Sequence, residues 1–341
     1  MIPAWSEYLL TQGARLNEQG VADFGSLTDE LHAAQAGPVI ADLSHWGLIG
    51  LAGEDAQSFL HGQITNAVQG IAPERAVFAG YCSAKGRMLA NFLVIRRGDD
   101  LLVMLPESLR EAIQKRLGMF ILRAKVKSRD AGGEWVRLGL AGAGVDNQVT
   151  EIVGAPLPEA MLGVAQSEQA LAIRLGAERF DLFVRPEDAP AHWAKLATRA
   201  RPVGAAIWEG LLVNAGIPTI LPVTQDQFVP QMANMDLLYG VDFKKGCYPG
   251  QEIVARTQYL GTLKRRMYLA RVTTEAIPGD SLYSPDLPGQ ACGTVVNAVP
   301  AASGGFDLLA VMQTSSHEGG DVRLGTEDGP RLSFKALPYP L

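Results

Sequence analysis

Apolar positions along this chain switch between a period of two and a period near 3.6, and the switches mark out the elements. A β-like run over 39–51 is followed by GEDAQSFL, where Gly53 closes the strand and Ala56, Phe59 and Leu60 share one helical face. Glu54 and Asp55 stand where a helix N-terminus favours acid. Apolar stretches at 76–82, 88–96 and 101–105, separated by the turn-like SAKGR and RRGDD, predict an antiparallel meander. After Pro106, ESLREAIQKRLGMFIL has helical spacing, and 135–140 returns to strand character. Residues 142–165, rich in Gly, Pro and Ala, read as a connection. Strands are expected near 171–175 and 181–184, then a helix over 188–199. A second helix is expected over 203–215, ended by Gly216 and Pro218. From Arg266 onward, short runs punctuated by Gly, Pro and Asp predict a small antiparallel β barrel or sandwich. The opening 35 residues read as an N-terminal arm. Single helices crossing between antiparallel strands predict α+β, not a Rossmann alternation.

Composition narrows the class. A chain of 341 residues has room for two or three domains, and 47% apolar against 19% charged residues excludes intrinsic disorder. No apolar run approaches the roughly 18 residues that span a bilayer, so no membrane partner is expected. MIPAWSEYLL lacks the basic start and apolar core of an export signal. Cys82, Cys247 and Cys292, odd in number and far apart, exclude a disulfide scaffold and fit a reducing, cytoplasmic setting. Metal motifs are missing: there is no CxxC or HExxH, and the five histidines have no ligand spacing. GxGxxG, P-loop and GxSxG motifs are missing too.

Two features carry candidate chemistry. Residues 242–267 hold six basic residues against two acidic ones, a net +4 in a chain of −6, which leaves −10 elsewhere. This strip suits an anion or, as a lesser reading, tRNA; a solvated helix face with a basic turn explains the charge equally well. Within it, Tyr248-Pro249-Gly250-Gln251 has Pro and Gly where a type II turn needs them. A helix starts at Gln251, which places Cys247 near a helix N-terminus and beside Lys244 and Lys245. That setting favours a reactive thiolate, although a small buried cysteine is the commoner fate. Trp46 and Trp208 are aromatics that either pack in a core or sandwich a flat heterocycle.

At KKGCYPGQEIVAR the chain resembles the YgfZ family of folate-binding proteins, relatives of the glycine-cleavage T-protein and of mitochondrial iron–sulfur assembly factors. The resemblance extends through DLSHWGLIGLAGEDAQSFLHGQITNAV, YCSAKGRMLANFLV and NAGIPTILPVTQDQFVPQMANMD, most of residues 40–270. It implies an aminomethyltransferase-like fold: interleaved α+β domains around a central cavity, followed by a C-terminal antiparallel β barrel. The expected divisions are 1–140 for a folate-binding region, 141–265 for a second region carrying the motif, and 266–341 for the barrel. It further implies a tetrahydrofolate-type cofactor and a role in iron–sulfur cluster assembly or repair. Through that role it implies tRNA modification, with iron–sulfur proteins or tRNA-modifying enzymes as partners.

Residue by residue, the resemblance makes Trp46 and Trp208 folate contacts and Cys247 the key thiol. Lys245, Gly246, Tyr248, Gly250, Gln251 and Glu252 are the motif frame, and Arg256 is a candidate for the ligand's anionic tail. Two positions depart from the T-protein. Its catalytic aspartate corresponds to the GRMLAN segment, which offers Ala90 and Asn91, and its pterin-gripping glutamate corresponds to Asn214. A neutral amide cannot steady a developing cation as a carboxylate does. A folate-dependent one-carbon transferase therefore stays the alternative, and whether Cys247 is a nucleophile, a one-carbon acceptor or an iron ligand is left open.

Overall fold

A computed structural model describes every residue of the chain except Leu260 and Thr262, two positions of the basic strip. By backbone packing the chain divides into two units. The first comprises residues 1–57, 69–77 and 93–208; the second comprises 58–68, 78–92 and 209–341. The first thus takes in residues on both sides of position 140, and the second on both sides of 265. Four elements begin in one unit and end in the other: helix Ala56–His61, strands Val77–Cys82 and Met88–Arg97, and helix Ala205–Asn214.

In the first unit a six-stranded sheet runs in the order Val164–Gln166, Ala170–Gly176, Arg179–Val184, Val136–Ala141, Val39–Asp42, Arg201–Val203. All neighbours are antiparallel except the last pair, which is parallel. One face of this sheet, with Ile40, Val136, Leu138, Leu140, Phe180 and Leu182, joins a core that also holds Trp5, Leu9 and Val21. The opening residues are therefore no arm. They fold as helix Pro3–Thr11, hairpin Arg15–Asn17/Gly20–Asp23 and helix Leu27–Ala36, and the Trp5 Nε1 donates to Asp42 at 2.7 Å. The helical period there was too short to reveal its burial, because most of the core it joins comes from residues beyond position 135.

The meander is present as Val77–Cys82, Met88–Arg97 and Asp100–Pro106, extended by Trp46–Ala52 and Lys127–Asp130. The expected continuous strand over 39–51 is broken at Leu43–His45, where the Trp46 N–H turns back to the Leu43 carbonyl. The Gly-rich stretch 142–165 also holds more than a connection: it contains helix Val145–Val153, bounded by left-handed Gly144 and Gly154. The C-terminal residues form a curled six-stranded antiparallel sheet, in the order Arg323–Leu324, Ser281–Tyr283, Ala291–Pro300, Phe306–Gln313, Arg265–Val272, Ser333–Lys335.

Local signals at the second unit's helix end hold in detail. Gly216 has φ +67°, its N–H reaches the Val213 carbonyl, and the Ile217 N–H reaches the Leu212 carbonyl. This double bond pattern is the Schellman stop that a glycine after a helix permits.

Candidate functional site

The motif loop of the second unit is built by nested glycines. The turn at 248–251 closes through the Gln251 N–H to the Tyr248 carbonyl at 3.2 Å, and Gly250 has φ +79°, the type II geometry. A side chain on Gly250 would meet the Gly86 Cα and the Ser83 carbonyl oxygen, each at 2.5 Å. Gly86, itself at φ +68°, leaves no room for one either, because Ile253 lies 2.9 Å from that position. The SAKGR turn and the motif turn therefore touch backbone to backbone. The SAKGR turn is anchored in its own right: Ser83 donates to Asp226 and Arg87 to the Gln227 carbonyl.

Lys245 roots the other end of the loop. It is 8% exposed, and its Nζ donates to the His61 and Ile64 carbonyls while lying 4.9 Å from the centre of the Tyr248 ring. Burial pulls its pKa down to about 8, against opposing contributions from Asp242 and Cys247. Tyr248 and Val254 are in the core, and the Gln251 side chain reaches the Lys245 carbonyl at 3.5 Å. With Lys245 and Tyr248 both turned inward, Gly246 and Cys247 between them are exposed. The other two cysteines are buried, and burial lifts the Cys82 thiol to about 12. Of the two fates open to Cys247 on spacing, the exposed one is observed. Glu252 and Arg256 are exposed on helix Gln251–Tyr259. Asn214 is exposed at the end of helix Ala205–Asn214 and donates to its own helix at the Gly210 carbonyl.

Asn91 is 2% exposed, and both ends of its amide are engaged. Its Nδ2 donates to the Pro218 carbonyl at 2.9 Å, and its Oδ1 accepts from the Ile220 N–H at 2.8 Å. Asn297 holds the intervening Thr219 in the same two-way fashion. The amide offers a donor and an acceptor at once, so this position is a backbone brace that an ionised carboxylate, which only accepts, would not reproduce.

Trp46 and Trp208 both belong to the first unit. Trp46 is 8% exposed and pairs with Pro106 at the start of its strand. Trp208 is 2% exposed, and its indole lies flat on Gly139, where a Cβ would come within 2.6 Å of the ring. Two residues along the same face of strand Val136–Ala141 stands Arg137, which the sequence reading passed over. The only signal was a single charge inside an apolar run. Arg137 is 5% exposed, and among the described residues nothing accepts from its Nε or Nη1. Its carbonyl accepts from the Leu43 N–H, and the Leu43 carbonyl accepts from the Trp46 N–H. Arg137 is thereby linked through backbone to the tryptophan of one strand and stands two places from the glycine under the other. Trp46, Trp208 and Arg137 belong to one unit, and Cys247, Lys245, Asn214 and Arg256 to the other.

Comparison with known proteins places the chain. The GCVT N-terminal domain model matches residues 17–242. A curated relative from Pectobacterium carotovorum subsp. carotovorum (strain PC1), named tRNA-modifying protein YgfZ, is 30% identical over 91% of this chain and 94% of its own length. The YgfZ of Edwardsiella ictaluri (strain 93-146) is 32% identical over 87% and 91%. The chain belongs to the YgfZ family. Among solved structures, the glycine cleavage system aminomethyltransferase T from Bartonella henselae superposes with a TM-score of 0.77, covering 97% of this chain and 96% of that one at 17% identity. That likeness establishes the aminomethyltransferase fold for this YgfZ-family member. Among the described residues no helix is long and apolar enough to cross a membrane.

Proposed function

We propose that this YgfZ-family chain is a tetrahydrofolate-binding accessory protein that supports tRNA modification by maintaining an iron–sulfur protein, with Cys247 as its reactive group. The observation that carries this reading is the presentation of Cys247: exposed, on a loop locked by Gly250 against Gly86 and rooted by Lys245, while the other cysteines are enclosed. Such locking holds a thiol at fixed orientation without spending entropy at the moment of reaction. The curated relatives' naming as tRNA-modifying proteins supports the cellular role.

The first unit suits a folate. A flat ring needs aromatic surface, for which Trp46 and Trp208 are the candidates. When bound, tetrahydrofolate would supply a carrier for one-carbon units. The assignment of Asn214 and Arg256, both exposed residues of the second unit, to a folate rests on the resemblance alone. Aminomethyl transfer is disfavoured by Asn91, whose amide is spent on the Pro218 and Ile220 backbone and supplies no negative charge.

The test replaces Cys247 by Ala in a strain lacking its own copy of the gene. Folding should change by less than about 0.5 kcal/mol, the scale of an exposed substitution. Tetrahydrofolate affinity should also be unchanged, while the content of modified nucleosides in tRNA falls to the level of the deletion. Full restoration by the alanine variant would end the reactive-thiol reading.

A further inference from the structure

We infer that Arg137 is the ring-edge anchor of the first unit, its guanidinium hydrogen-bonding the carbonyl-bearing edge of a neutral, flat heterocycle, namely the pterin of a tetrahydrofolate-type ligand. This rests on the folate-binding reading above and names the residue and the ligand edge that reading leaves unassigned.

The argument begins from an unmet requirement. Arg137 lies on the face of strand Val136–Ala141 opposite Val136, Leu138 and Leu140, together with Gly139 and, by register, Asp181 and Phe183. Its Nε and Nη1 are enclosed and bonded to nothing among the described residues. A buried polar group without a partner costs roughly 1–3 kcal/mol, more when charged, so a group of this kind persists where something else requires it. Burial pulls the guanidinium down to about 10, which still leaves it charged at neutral pH.

The class of acceptor follows from its surroundings. Asp42, Glu107, Asp181 and Asp130 all act electrostatically on Arg137, and each favours its charge. Set against these four carboxylates are three guanidiniums: Arg137 itself, Arg110, which pairs with Glu107 and Asp130, and Arg179, on which Asp181 acts. The neighbourhood is already net negative by one, so an incoming carboxylate or phosphate would be repelled. A neutral acceptor edge meets no such repulsion. A pterin presents a ring carbonyl oxygen, an acceptor with two lone pairs that the Nε–H and Nη1–H of a donor-only guanidinium can meet together. Next to it, the Trp208 indole on Gly139 provides an aromatic surface on the same face of the sheet.

Arg137→Lys tests this on the full chain, because it keeps the charge that faces the four carboxylates and removes the planar fork. Thermal melts come first, then calorimetric titration with tetrahydrofolate, with 6-methyltetrahydropterin and with p-aminobenzoylglutamate. Affinity for tetrahydrofolate and for the isolated pterin should fall roughly 10- to 100-fold, the span of losing a bidentate contact. Affinity for p-aminobenzoylglutamate should stay within about twofold, and the melting temperature should hold. A folded variant with undiminished pterin binding would overturn the inference and leave the folate reading standing, with ordered water as the partner of Arg137. Loss confined to p-aminobenzoylglutamate would overturn it by assigning the guanidinium to a carboxylate. A wild-type chain that binds neither tetrahydrofolate nor the pterin sinks both readings. Should the lysine variant not fold, the Arg137 Nε–H resonance of the 15N-labelled wild type decides: it must shift on adding 6-methyltetrahydropterin, and a fixed resonance in a chain that binds the pterin refutes the assignment.

Discussion

The motif loop of the second unit and the Arg137 face of the first solve opposite problems. On the motif loop Lys245 is spent on two carbonyls and Gln251 on a third, and elsewhere in the second unit Asn91 and Asn297 hold the backbone of residues 218–220. Between the buried Lys245 and Tyr248 the loop exposes the Cys247 thiol. At Arg137 two nitrogens of the charged group itself have no partner among the described residues. On the two proposals above, the contrast separates a site that would present a reagent from one that would hold a ligand. In the first, stability and chemistry would reside in different residues; in the second, a residue that costs stability would supply the recognition.

Substitutions can break this contrast, beginning with the largest effect. Trp208→Ala empties the buried space over Gly139 and should cost about 3–5 kcal/mol on thermal or urea unfolding, as large-to-small core changes do. The proposed role as a ligand contact adds a loss of tetrahydrofolate affinity in whatever fraction stays folded. Trp46→Ala, at the start of its strand, should lose affinity with a smaller stability cost. Equal stability losses with no loss of affinity would return both tryptophans to the core.

Gly250→Ala should destabilise by about 2–4 kcal/mol, because the new Cβ adds a left-handed-backbone penalty to a clash against the Gly86 and Ser83 backbone. Neither neighbour is a flexible side chain that can swing away. Tetrahydrofolate affinity should be untouched, and a variant that unfolds no sooner than wild type would refute the nested-glycine account.

Asn91→Asp should cost about 2 kcal/mol near pH 7.5 and little near pH 3.5, below the ordinary carboxyl range. The buried carboxyl would face the Pro218 carbonyl and so have a raised pKa in the folded state. A raised folded pKa means the folded chain holds its proton more tightly, and stability is lost as pH rises through that value. No aminomethyl transfer should appear. A pH-independent difference in melting temperature from wild type would refute the brace.

Lys245 gives the smallest and most graded effect. Its folded pKa, about 8, lies below the ordinary lysine value, so the unfolded chain binds that proton more tightly. Wild-type stability relative to Lys245→Met should therefore rise between about pH 8 and 10.5 and be flat below that window. Urea midpoints at pH 7, 9 and 10 check the sign; a falling difference would mean that the ammonium is favoured in its pocket.

Much of the fold was legible because its signals are local. The type II turn at 248–251, the Schellman stop at Gly216, helix Gln251–Tyr259 and the meander strands each depend on residues within a few positions. Those are the ranges over which turn chemistry and periodicity act. Misreadings came where distant chain supplies the partner: the opening residues, packed against strands beyond position 135, and helix Val145–Val153 within a Gly-rich stretch.

By itself the sequence determined where most elements start and stop, and which cysteine stands in a glycine-framed turn. Tertiary structure alone decided that Cys247 is exposed while Cys82 and Cys292 are enclosed. It also decided that Gly250 meets Gly86, and that Arg137 is buried near Gly139 with its Nε and Nη1 unpartnered among the described residues. The reason is range: backbone preference is set by neighbours in the chain. Burial and the pairing of a charge are set by which strands lie side by side, and strand Val136–Ala141 takes its neighbours from residues 39–42 and 179–184.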